Sequence, residues 1–126
     1  MKAIIVEDEQ LALRNLMVIL DEIGSIQVIA TPDSIVETVE WFNSNPPPDL
    51  MFLDIHLADG SAFVIFDRIQ VQCPVIFTTA YDEYALKAFK VNSIDYLLKL
   101  SDANSVQQAI KKLQGLSGAS RFQSDM

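Results

Sequence analysis

Short apolar runs alternate along the chain with stretches in which apolar residues return every three or four positions. The runs are residues 3–6 (AIIV), 26–30 (IQVIA), 50–53 (LMFL), 75–77 (VIF) and 94–98 (IDYLL). Near-continuous apolarity, rich in β-branched and aromatic residues, suits strands buried on both faces of a parallel sheet. Between the runs, Leu13, Leu16, Met17 and Leu20 share one helical face, with Gly24 as a stop signal. Ile35, Val39 and Phe42 mark a second helix, closed by "NSNPPPD", whose prolines cannot continue it. Ala62, Ile65, Phe66 and Ile69 repeat the spacing. Residues 83–89 give a short fourth helix, and Val106, Ala109, Ile110 and Leu113 a fifth, with Ser105 or a neighbour as its cap. Strands alternating with helices imply right-handed crossovers and one sheet covered on both faces. The expected class is α/β, a (βα)5 doubly wound parallel sheet of five strands.

Composition narrows the chemistry. At 126 residues, half of them hydrophobic, the chain suits one domain with a substantial core. No apolar run approaches the roughly 20 residues of a membrane span. The opening "MKAIIVEDEQ" meets acids too early for the core of a secretion signal, so cytoplasmic residence and no membrane partner are expected. One cysteine, Cys73, excludes an internal disulfide and reads as packing; one histidine, His56, cannot build a multi-histidine metal site. The net charge of −8 disfavours phosphate contacts, so DNA would be reached only through a further domain.

The polar residues fall at one end of that frame. Glu7 and Asp8 follow the first run, Asp54 the third, Thr78 and Thr79 the fourth, and Lys99 the fifth. In the flavodoxin-like order 2-1-3-4-5, ligands bind outside the carboxyl ends of the strands, where the order reverses. Three carboxylates there repel one another unless a cation joins them. Oxygen ligands suit Mg2+, and an amine with a hydroxyl suits an incoming phosphoryl group. Asp54 is then the nucleophile, forming an acyl phosphate. Glu7 and Asp8 would also serve as acids at a helix N-terminus, which leaves the other three strand ends unexplained.

The segments "IIVEDE", "DLMFLDIHLADG", "PVIFTTAYDEYALKAF" and "IDYLLK" stand in order and spacing. Over about residues 2 to 115 the sequence resembles the receiver domain of two-component response regulators, and "TAYDEYALKAF" and "DYLLK" are similar to the LytTR group. The resemblance implies that Asp54 accepts a phosphoryl group from a phosphohistidine on a sensor histidine kinase. It implies Mg2+ among Glu7, Asp8, Asp54 and the backbone carbonyl of His56. Thr79 and Lys99 would bind the phosphoryl oxygens, beside the small residue Ala80, and Tyr96 would be the aromatic switch that answers Thr79. The chain would be a signalling phospho-acceptor rather than an enzyme, with residues 1–116 as receiver and 117–126 as linker or chain end. A DNA-binding output domain regulating transcription is expected after it.

Two positions depart from the pattern. Glu7 stands where aspartate is usual, and Leu100 where the family has proline in a cis peptide bond. A non-proline cis bond costs roughly 3 kcal/mol, so a trans bond is expected after Lys99. These departures keep alive a degenerate receiver that acts only by protein–protein interaction. An aspartate-nucleophile phosphatase is the weaker alternative, because His56 stands where such enzymes carry a second aspartate. A nucleotide- or flavin-binding module lacks a glycine-rich phosphate loop. The face of the fourth helix, fifth strand and fifth helix, with Asp82, Glu83, Lys87, Lys90, Asp95, Lys111, Tyr81, Tyr84 and Phe89, is the expected surface for a phosphorylation-dependent homodimer.

Overall fold

The computed structural model describes residues 1–80 and 93–124, with side chains through residue 80 and from 97 to 115. The strands are β1 (Lys2–Val6), β2 (Gln27–Ala30), β3 (Leu50–Asp54), a short pair β4 (His56–Leu57) and β5 (Gly60–Ser61), β6 (Val75–Thr79) and β7 (Ser93–Leu98). The helices are α1 (Gln10–Ile23), α2 (Ile35–Ser44), α3 (Val64–Arg68) and α4 (Ala103–Ser124). Five strands form one parallel sheet in the order β2-β1-β3-β6-β7, with β4 and β5 as a separate antiparallel ribbon. This is the doubly wound order expected, with the ribbon inserted after the third strand. The expected fourth helix, Tyr81 and the dimer-face residues 82–90 lie outside the described residues, as do the side chains of Asp95 and Tyr96.

The central strands β1, β3 and β6 are sealed on both sides, which is why they read as unbroken apolar runs. Within them, alternate residues serve different cores. Ala3, Ile5, Leu50 and Phe52 pack with Leu16, Leu20, Ala109 and Ile110 of α1 and α4. Ile4, Val6, Met51, Leu53 and Phe77 pack with Ile35 and Ile65 of α2 and α3. Cys73 is buried in this second core, and burial pushes its thiol up to about 11, in keeping with a packing role.

Helix boundaries follow local chemistry. Gly24, with φ of 80°, adopts the left-handed turn that ends α1, and its N–H donates to Leu20 O. Ser34 caps α2, its Oγ accepting from Glu37 N at 3.1 Å. α3 is shorter than the apolar spacing suggests, since Ile69 is already extended. At the other extreme, α4 continues through Ser124 into the stretch read as linker, which carries no proline to stop it. No helix among the described residues is long and apolar enough to cross a membrane.

The ribbon has a positional role. Gly60, with φ of 137°, makes a turn closed to most side chains. It presents Asp59 to the start of α2, where Oδ1 accepts from Ile35 N at 2.9 Å and Oδ2 from Val36 N at 3.2 Å. The Ile35 bond leads in holding this carboxyl below its ordinary value. A depressed carboxyl stabilises the fold above its unfolded pKa and loses that contribution as pH falls through the folded one. Asp59→Ala is expected to destabilise the domain by about 1 kcal/mol at neutral pH, the usual scale of a lost cap. In urea titrations the gap to wild type should shrink as pH falls toward about 3; a gap constant across that range would show that its ionised form contributes nothing.

Candidate functional site

The parallel register brings the site residues together. Val6 pairs with Leu53, so Glu7 emerges from β1 beside Asp54, the last residue of β3. Asp54 is in register with Thr78, and Ile55 N donates to Thr78 O at 3.3 Å. Thr79 pairs with Leu98, and Lys99 N, just beyond β7, donates to Thr79 O at 2.8 Å. Main-chain pairing alone therefore delivers two carboxylates, two hydroxyls and an amine to one end of the sheet.

The side chains converge on Lys99. Its Nζ donates to Glu7 Oε2 at 3.0 Å, Asp54 Oδ2 at 3.0 Å and Glu9 Oε1 at 2.9 Å. Asp54 Oδ1 accepts from His56 N at 3.4 Å, while the His56 side chain is exposed. Glu7 and Asp54 are almost wholly buried, at 4% and 3% exposure. Asp8 is half-buried beside them. Carboxylate oxygens of Glu7, Asp8, Glu9 and Asp54 all lie within 4.8 Å of one another. Thr78 and Thr79 are both buried, and Ala80 follows, exposed, at the strand end. Thr78, Glu7, Lys99 and Leu100 line a small crevice against α1.

Electrostatics follow from this crowding. Burial, reinforced by a hydrogen bond to Asp54, pushes the Glu7 carboxyl up to about 7, against the pull of Lys99 and of the Glu9 N–H. Burial alone would lower the Lys99 amine, but its bonds to Glu9, Glu7 and Asp54 outweigh that and hold it above the ordinary lysine value. One amine pairs with three of the four clustered acids, an imbalance that a second cation would relieve. The donor set is entirely oxygen and includes two buried carboxylates, which fits a hard divalent ion such as Mg2+ and leaves no place for a soft one.

The Lys99–Leu100 peptide bond is cis, not trans. The trans expectation follows the intrinsic preference of the bond where the site does not enforce otherwise; here the segment is held by Lys99 N donating to Thr79 O at 2.8 Å and Asn15 Nδ2 donating to Ser101 O at 2.9 Å. Glu9, which the reading passed over, is a full partner of Lys99. A third acid directly after Glu7-Asp8 was the signal for it. Glu7 and Asp8 do not cap α1: the helix begins at Gln10 after Glu9, and Glu7 accepts from Glu9 N at 3.2 Å.

Comparison with known proteins agrees with the fold. The family described as the response regulator receiver domain matches residues 3–111. The chain is 40% identical over 115 residues to the sensory transduction protein LytT of Enterococcus faecalis, covering 89% of this chain and 47% of that protein. It is 38% identical over 117 residues to the transcriptional regulatory protein LytR of Staphylococcus aureus, covering 90% of this chain and 47% of that protein. The chain thus spans about half the length of these relatives. Among solved structures, the response regulatory domain of protein mrkE from Klebsiella pneumoniae superposes with a TM-score of 0.75 at 28% identity, covering 94% of this chain and 97% of that one.

The raised Glu7 carboxyl has a measurable consequence. Its folded pKa lies above the unfolded value near 4.5, so its contribution to stability is full below about 4.5 and is lost as pH rises through about 7. In chelator, the wild-type melting temperature is expected to fall between about pH 5 and about pH 8. Glu7→Gln should flatten that slope and melt a few degrees higher at the upper pH. A slope that survives the substitution would mean another group is responsible.

Proposed function

The chain belongs to the response regulator receiver domain family, and from that footing we propose that Asp54 is its phosphoryl acceptor, with a phosphohistidine of a sensor histidine kinase as donor. The observation that carries the reading is the junction of Asp54, Glu7 and Glu9 on the single amine of Lys99, beside two buried hydroxyls at the carboxyl end of the sheet.

An Oδ atom of Asp54 forms the new bond to phosphorus. The P–N bond to the donor imidazole breaks, and its electron pair returns to the ring nitrogen. Asp54 arrives at the reaction at the end of a strand sealed on both faces, so its position is fixed before the donor binds. Lys99 sets a positive charge where the phosphoryl oxygens gather. Thr79 supplies a hydroxyl and Ala80 leaves room beside it. Glu7, Asp8 and Asp54, with the His56 carbonyl, would hold Mg2+, which supplies further neutralisation of phosphoryl charge. Later attack of water on phosphorus returns Asp54 as a carboxylate and releases inorganic phosphate, so the chain is a signalling acceptor and not a turnover catalyst for another substrate.

Tyr96 belongs to this reading as the switch. It lies on β7 in register with Phe77, one residue before the Thr78–Leu97 pair. The transcription output is placed outside the present sequence. Support comes from the names and greater length of the LytR and LytT relatives and from the net charge of −8, which leaves this domain poorly suited to touch DNA itself.

Intact-mass analysis after incubation with acetyl phosphate tests the proposal. Wild type with Mg2+ is expected to gain one phosphoryl group, and to gain none in chelator or after Asp54→Asn. Uptake that persists in Asp54→Asn would move the acceptor elsewhere, and no uptake in any condition, kinase donor included, would leave a domain that acts by contact alone.

A further inference from the structure

An ammonium group has three N–H donors, and those of Lys99 are all engaged, by Glu7, Glu9 and Asp54. A phosphoryl oxygen arriving at Asp54 can take a Lys99 donor only if one of these carboxylates gives it up. The three are not equivalent. Glu7 and Asp54 have side chains 4% exposed, whereas the Glu9 side chain is 65% exposed. With no metal ion bound, losing Glu7 or Asp54 as a partner strands a buried carboxylate away from water, while the Glu9 carboxylate is solvated as soon as it lets go. Glu9 also carries no capping duty. It occupies the N-cap position of α1, yet its side chain makes no capping bond and turns to Lys99 instead.

We infer that Glu9 is a positioning residue for phosphoryl uptake: it holds the third donor of Lys99 while Asp54 is unmodified and releases it to the incoming phosphoryl group. The inference rests on Asp54 being the acceptor. With acetyl phosphate, the Asp54 Oδ–P bond forms, the P–O bond to acetate breaks, and acetate leaves with the electron pair. One Lys99 N–H turns from Glu9 to a phosphoryl oxygen, and no proton is transferred. Until it withdraws, the Glu9 carboxylate repels an anionic donor, so the same residue that orders Lys99 also opposes premature entry.

Two measurements on Glu9→Gln and Glu9→Asp test this. In metal-free protein, acylation of Lys99 by an acetyl ester, read by peptide mass, should be about two- to fivefold faster in Glu9→Gln, the scale of one exposed ion pair. With acetyl phosphate and Mg2+, Glu9→Gln should phosphorylate about two- to fivefold faster, with a weaker dependence on ionic strength than wild type. Glu9→Asp keeps the charge and should keep the wild-type salt dependence, a distinction that a merely structural residue would not produce. Unchanged Lys99 acylation in Glu9→Gln, or an unchanged rate and salt slope, would overturn the inference. If wild type takes no phosphoryl group at all, the acceptor reading falls and the hand-over with it, and the acylation arm shows separately whether Glu9 holds the amine.

Discussion

One ammonium group joins the ends of β1, β3 and β7. Lys99 meets Glu7 and Asp54 at the mouth of the sheet, where main-chain pairing has already pressed their carboxylates together. Buried like charges are tolerated only when paired, so the amine is a condition for this end of the sheet as well as part of its chemistry. The unequal partners matter. Two carboxylates depend on Lys99 because water cannot reach them, and a third shares it from the surface. An arrangement with one replaceable contact can accept a new anion without exposing or repacking its core.

Much of this is legible in the sequence, for reasons that can be located. β1, β3 and β6 are covered on both faces, so their residues are apolar without interruption, and any polar residue that follows marks where the strand leaves the core. Glu7 and Asp54 stand out in that way, whereas Thr79 is the buried last residue of β6 and Lys99 follows β7. Alternation with helices implies the parallel sheet, whose observed order is the flavodoxin-like one expected. Tyr96 sits where the sequence placed it along β7, while its ring lies outside the described side chains.

The rest was hidden for equally local reasons. The β4–β5 ribbon has two residues on each side, too short for any periodicity to register. Only the Asp59-Gly60 turn dipeptide hinted at it. α4 outran its expected end because a polar, small-residue composition resembles linker even where the helix has nothing to stop it. Glu9 was missed because an exposed acid at a helix start has an ordinary explanation, and only its distance to Lys99 shows that the ordinary explanation is not the one used.

The contacts at the mouth of the sheet join residues far apart in the chain: Lys99 lies 92 positions from Glu7 and 45 from Asp54. No fragment that lacks either end of that span can contain the site. During synthesis, the acidic residues of β1 leave the ribosome long before the lysine that balances them. A partly made chain, or one cut between the two, thus holds the acids without their counter-charge. The cluster therefore closes in one step, when the edge strand β7 pairs with β6 and brings Lys99 to the acids already gathered there.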